Sequence, residues 1–250
     1  MKLVVIISII LTSYISTTQG QSRFWQFVNA NKYDDAIALS ATELKIALQR
    51  YTFLSPEIGD LHSAISKCYK EKKKYSLALD HLTNAYTIYV FINGDSSLLG
   101  VYECEELAQL YFHVGNYLDA ACYYEKCFII NRKHKGELSQ ACIDNLNVAA
   151  ICYDKANNLA LAERNYLIVE KLLAENEVVN ERMLRIVRQS LKHLYRVTKN
   201  TDRENAIDVK LGILNGNETT NKVKVNGEKC DCINHLVPAE ELRKLGITVN

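Results

Sequence analysis

Apolar residues recur along most of the chain at steps of three and four, the spacing that lines one face of an α-helix. Around the middle of the chain this pattern resolves into two helices. The first, about Val101 to Val114, carries Leu107, Ala108 and Tyr111; the second, about Tyr117 to Asn131, carries Ala120, Tyr124 and Cys127. Gly115-Asn116 lies between them and reads as a tight turn. The same arrangement returns every 42 residues. Tyr69, Tyr111, Tyr153 and Tyr195 keep that step, with Phe27 one period earlier, and Ala36, Ala78, Ala120 and Ala162 keep it too. A fixed period in the range of roughly 20–50 residues means stacked copies of one supersecondary unit. The predicted fold class is all-α: an α-solenoid of about five helix-turn-helix repeats. The repeated tyrosines, at helical spacing beside a small residue, are assigned to the core.

The central copy reads Ala108, Tyr111, Gly115, Tyr117, Ala120, Tyr124. The copy before it reads Ser66, Tyr69, Lys73, Tyr75, Ala78, Leu82, and the copy after it Ala150, Tyr153, Asn157, Leu159, Ala162, Tyr166. A first copy runs through Phe24, Phe27, Asn31, Tyr33 and Ala36. This run resembles the tetratricopeptide repeat. The usual repeat of that family is about 34 residues, and the additions fall at Phe91 to Gly100, Asn131 to Gln140 and Ala174 to Arg182. Longer helices joined by wider loops are similar to the variant found in kinesin light chains. HEAT and armadillo arrays have periods that also cover this length, but they do not repeat a Tyr–Gly–Tyr–Ala run across a two-residue turn. A fifth copy around Lys192 and Tyr195 is degenerate: Ala206 falls two residues late, which predicts an insertion in the turn near Lys199 to Asp202. The repeat domain is assigned to residues 21–214.

The two ends read differently. Lys2, the apolar run Leu3 to Leu11 broken only by Ser8, and the small polar residues up to Gly20 form the pattern of a secretory signal peptide over residues 1–20. The apolar run is too short to span a bilayer comfortably, so no membrane span is expected after cleavage. Residues 215–250 read as a linker and a cysteine-bearing tail. Its Asn226-Gly227 turn predicts a hairpin, and Pro238 and Gly246 frame a last short helix. Asn217-Glu218-Thr219 is the one glycosylation triplet of the chain. Secretion is therefore the expected localisation, with the endoplasmic reticulum lumen as the alternative.

Charge and composition narrow the partners. The chain has 30 Lys and Arg against 29 Asp and Glu, a balance that gives no electrostatic argument for nucleic acid or for an anionic membrane. Only 2 prolines and 10 glycines fit long helices better than a turn-rich β fold. No glycine-rich phosphate loop, His-Glu-x-x-His run or Gly-x-Ser-x-Gly turn occurs, so no catalytic residues, metal or cofactor are expected and the protein is read as a binder.

Members of the resembled family usually hold ligands in the groove lined by the first helix of each repeat. Carried onto this chain, the lining positions are Asp60, Ser63, Lys67 and Lys70, then Tyr102, Glu105, Gln109 and Phe112, then Asp144, Asn147, Ile151 and Asp154, and in the last repeat Ile186, Gln189, His193 and Arg196. Tyr102, Phe112 and Ile151 are expected as exposed apolar anchors for a protein or peptide. The Lys and Asn clamp of chaperone-binding members is absent: Gln21 and Trp25 in the first repeat, Ser63 and Lys67 in the second and Glu105 in the third stand at such positions. An accessory subunit of the endoplasmic reticulum lumen and a self-associating structural protein are the alternatives, the latter a homodimer through the outer face or tail.

The eight cysteines are Cys68, Cys104, Cys122, Cys127, Cys142, Cys152, Cys230 and Cys232. Cys68 and Cys152 hold one position two repeats apart, too far for a bridge that spans roughly 4.4–6.8 Å. Cys104 and Cys127 can meet within one repeat, and Cys122 and Cys152 lie on helices expected to pack together. Both pairs are candidate disulfides, against the alternative that each thiol is a small buried hydrophobe.

Overall fold

The computed structural model describes residues 22–94, 97–175 and 180–212. The predicted signal segment, Asn217, Cys230, Cys232 and the predicted tail hairpin and helix lie outside the described residues. The described residues contain ten α-helices: α1 Arg23–Asn29, α2 Tyr33–Arg50, α3 Pro56–Glu71, α4 Tyr75–Asn93, α5 Val101–His113, α6 Tyr117–Lys135, α7 Gln140–Lys155, α8 Leu159–Glu175, α9 Glu181–Val197 and α10 Thr201–Lys210. A short 3₁₀ turn, Leu98–Gly100, precedes α5. Two compact units result, Met1–Gly94 with α1 to α4 and Asp95–Asn250 with α5 to α10.

Each odd-numbered helix hands over to the next through the same backbone device. Asn31, Lys73, Gly115, Asn157 and Lys199, spaced 42 apart, all take positive φ, from 55° to 81°. At the central turn the Asn116 N–H donates to the Tyr111 carbonyl at 2.9 Å, and the Gly115 N–H to the Phe112 carbonyl at 3.1 Å. The same two bonds recur at the other four turns. This is the Schellman arrangement, which satisfies the last carbonyls of one helix while reversing the chain. The in-phase aromatic is the residue whose carbonyl accepts the outer of the two bonds. Asn116, Asn158 and Asn200 then cap the following helix, their side chains accepting from the N–H of Asp119, Leu161 and Arg203.

The fifth turn corrects the expected insertion. α10 begins at Thr201 as α8 begins at Leu159, and Lys199 has the left-handed conformation of Asn157. The 42-residue step is therefore unbroken, and Glu204 occupies the alanine position. Ala206 is an exposed surface residue and not a displaced packing residue. The additions to the repeat are mostly helix: α4, α6 and α8 run on to Asn93, Lys135 and Glu175. Gly136 ends α6 with φ 87° and ψ 156°, a region open essentially only to glycine.

Packing follows the phase. Ala36, Ala78, Ala108, Ala120, Ala150 and Ala162 are fully buried, which lets paired helices approach closely. Ser66 takes the small-residue position in the first unit and donates its hydroxyl to the Ala78 carbonyl at 2.8 Å. Tyr153 and Tyr195 are buried, while Tyr69 and Tyr111 are half-buried and packed against the cores of their own units. Each of the latter stacks on a residue of the following helix, Tyr69 on His81 at 5.7 Å and Tyr111 on Tyr123 at 5.4 Å. Ile143, Leu172, Leu173 and Leu191 complete the core of the second unit, each stabilising it by roughly 1.5–3 kcal/mol.

Charged side chains tie α6, α8 and α10 together. Buried Glu125 on α6 accepts from Arg164 and, at 2.8 Å, from Asn165 Nδ2 on α8. One repeat on, Glu163 meets Arg203, and Glu170 accepts from Lys210 Nζ at 2.9 Å.

Candidate functional site: the first-helix face of the second unit

Three first helices, α5, α7 and α9, are joined side to side in this unit. Asn145 Nδ2 on α7 donates to Glu105 Oε1 on α5 at 3.2 Å. The Lys155 ammonium at the end of α7 lies 5.7 Å from the Phe112 ring centre and 5.6 Å from that of Tyr117. Gln140 Nε2 reaches Met183 Sδ on α9 at 3.9 Å. Side chains at three- and four-residue steps on each helix form one face across the three.

Along α5 that face presents Tyr102, 58% exposed, and Gln109, also exposed. Glu105 is half-buried, held by Asn145. Along α7 it presents exposed Asp144, which accepts from Gln140 at 2.8 Å, and half-buried Asn147, Ile151 and Asp154. Along α9 it presents Ile186, 47% exposed, with Gln189, His193 and Arg196 exposed. Arg196 is ion-paired with Glu204 of α10 at 2.9 Å.

Two expected anchors are placed differently. Phe112 and Ile151 are half-buried and pack against the core. Phe112 also stands edge-on to Tyr117 at 5.3 Å, with Lys155 above both rings. The apolar handles on this face are therefore Tyr102 and Ile186. Asn145 and Lys155, which position Glu105 and Phe112, carry no mark in the repeat pattern, and Glu204, which holds Arg196, stands where the other copies have alanine. They are residues of neighbouring helices and become legible only once the helices are side by side.

The six described cysteines form no disulfide. Cys104 and Cys127 are buried neighbours, but each thiol is turned to a backbone carbonyl: Cys104 Sγ donates to that of Tyr123 at 3.4 Å and Cys127 Sγ to that of Val101 at 4.0 Å. The expected Cys122–Cys152 bridge is not formed either. Burial pushes the Cys68 thiol up to about 11 and that of Cys152 to about 12, and raises those of Cys127 and Cys142. Such thiols are poor nucleophiles at neutral pH. Among the described residues no group of three or more His, Cys, Asp or Glu side chains is placed to hold a metal ion. No described helix is long and apolar enough to cross a membrane.

No family model matches the chain, and no curated protein does. Solved structures do. BtubC (BKLC) from P. vanneervenii superposes with a TM-score of 0.54 at 14% identity, over 82% of this chain and 84% of that one. A kinesin-light-chain-like protein from Podosopora anserina with nearly identical TPR-like repeats superposes with a TM-score of 0.57 at 14% identity, over 75% of this chain and 92% of that one. A substituted variant of the Podosopora anserina protein matches equally well, at a TM-score of 0.57. At this identity the likeness is one of fold: the chain is an all-α protein of TPR-like repeats.

Proposed function

We propose that the chain is a non-catalytic scaffold that binds a protein or peptide segment along the first-helix face of its second unit. The observation that carries this reading is Tyr102, a large aromatic with most of its surface in solvent, on the same face as Gln109, Gln189, His193 and Arg196. Exposed aromatic anchors beside polar side chains are the usual make-up of a recognition surface. The TPR-like fold supports it, since stacked repeats present extended faces for partners. Glu105, Asn147 and Asp154 supply acceptors on the same face, and Phe112 and Ile151 stiffen it from beneath.

The test is affinity capture with the immobilised chain, wild type against Tyr102→Ala/His193→Ala. Both positions are exposed, so helicity should be retained. Partners held by the wild type and lost from the variant are the expected result. An identical set retained by both would remove this face from consideration.

We further infer secretion, with the endoplasmic reticulum lumen as the alternative, on the n-, h- and c-region pattern of residues 1–20. Expression in a secreting host should yield a product beginning at Gln21 and carrying glycan on Asn217. In an oxidising compartment the neighbouring Cys104 and Cys127 are the pair we expect to bridge.

A further inference from the structure

The first unit carries a cleft that the face described above does not include. It lies between α1, α2 and α3, has a volume of about 500 Å³, and is lined by Trp25 from α1 with Ser22 just before it, by Glu43, Ile46, Ala47 and Arg50 from α2 with Tyr51 just beyond, and by Glu57, Asp60 and Leu61 from α3. Its composition is one-sided: three carboxylates stand around two aromatic rings and an aliphatic floor, against a single guanidinium.

None of those carboxylates is neutralised by Arg50. Asp60 accepts from the Tyr89 hydroxyl, a neutral donor. Glu43 and Glu57 have no ion-pair partner among the described residues. The hydroxyl oxygen of Ser22, a residue of the lining, is shielded from water and has no hydrogen-bond partner among the described residues. A buried oxygen without a donor is a cost that an incoming N–H relieves. Aromatic faces attract cations through their quadrupole, and do so most strongly for guanidinium and ammonium groups brought out of bulk water. Carboxylates within a Debye length of about 10 Å add to that attraction.

We propose that this cleft binds a lysine or arginine side chain of a partner polypeptide. The aliphatic stem lies on Ile46, Ala47 and Leu61, the charged head lies beside Trp25 and Tyr51, and Glu43, Glu57 and Asp60 accept its N–H groups. A long cationic side chain suits this lining because it is apolar along its stem and charged only at its tip. An anionic or wholly apolar segment would leave three carboxylates uncompensated. The site is independent of the Tyr102 face, on a different unit, and either can fail without the other.

Trp25 is the only tryptophan of the chain, so its emission reports on this cleft alone. The probes are tri-arginine and tri-lysine peptides with blocked ends, with blocked tri-glutamate as the control, titrated at low salt into the full chain. The expected result is a saturable change of Trp25 emission with either cationic peptide and none with tri-glutamate. In Glu43→Gln/Glu57→Gln the apparent affinity should fall by about tenfold or more, and molar salt should weaken binding in the wild type. Neither glutamate is buried, so circular dichroism should be unchanged. Tyr51→Ala is the second variant and should weaken binding without altering the charge. Tyr102→Ala should leave the titration as it is. An equal response to tri-glutamate, or an affinity unchanged by the double substitution, overturns the proposal.

Discussion

His62 and His81 face each other across the α3–α4 crossing with their Nδ1 atoms 2.9 Å apart, and Tyr69 stacks on His81. They stand 42 residues before Cys104 and Tyr123, so the pair occupies a crossing that another repeat fills with a thiol and a phenol ring. At 2.9 Å one Nδ1 donates and the other accepts, and both rings cannot carry a proton there. Burial lowers the pKa of His62 to about 4, with the neighbouring His81 adding to it. Burial also lowers that of His81, against the opposing pull of Asp80. For a histidine whose folded pKa is depressed, the unfolded chain binds more protons between the two pKa values, so stability is full above the unfolded pKa and is lost as pH falls. The stability of the first unit should therefore decline between about pH 6.5 and 4, by on the order of 2 kcal/mol. Urea denaturation across that range, read by Trp25 emission, measures it. In His62→Leu the slope should fall to the part that buried His81 supplies; a slope unchanged by the substitution would place the proton uptake elsewhere. Nothing in the repeat pattern announces this pair, because the two histidines lie 19 residues apart and meet only through the crossing of two helices.

At the scale of the helices, the period was legible and its mechanism was not. Aligned tyrosines and alanines reveal the step, but the residue that reverses the chain at each turn is Asn, Lys, Gly, Asn and Lys in the five copies. Only the central copy shows a glycine there. A backbone requirement met by three residue types does not show as a motif, and the fifth copy was misread for that reason: its alanine position holds Glu204, and Ala206 drew the alignment two residues out of phase. A left-handed lysine is strained by roughly 1–2 kcal/mol. Lys199→Gly should then stabilise the second unit by about 1 kcal/mol, the gain reduced by glycine's larger entropy in the unfolded chain. Gly136→Ala should destabilise it by more than that, because no side chain suits its backbone angles. Thermal melts of the two variants should move in opposite directions. The α6–α8 tie can be tested in the same way. Arg164→Ala leaves Glu125 buried without its counter-ion and should cost about 3–5 kcal/mol. Glu125→Leu/Arg164→Leu, with neither charge present, should cost much less than the two single changes added together. The candidate face was legible as a list of positions, since a fixed phase places Tyr102, Gln109, Gln189 and His193 on one side of their helices. Which of its apolar residues stay exposed was not, because Lys155 covers Phe112 from the neighbouring helix.

For the whole molecule, repeats that touch mainly their sequence neighbours make stability close to a sum of local terms, and cooperativity between distant parts is not guaranteed. The cysteines are placed to read this out. Cys68 lies buried in the first unit, and Cys104, Cys142 and Cys152 lie fully buried in the second. Burial keeps reagent away from their thiols, so alkylation of any of them requires the surrounding helices to open. Brief alkylation of the reduced chain near neutral pH in rising urea, followed by mass spectrometry of each cysteine peptide, gives a separate opening curve for each site. Without urea all four should be protected. As urea rises, Cys104, Cys142 and Cys152 should become reactive at a common midpoint, and Cys68 at a midpoint of its own. His62→Leu should move the Cys68 midpoint and leave the other three in place. A single midpoint for all four cysteines, shifting together in that variant, would mean that the ten helices unfold as one cooperative body and that the division at Gly94 has no energetic counterpart.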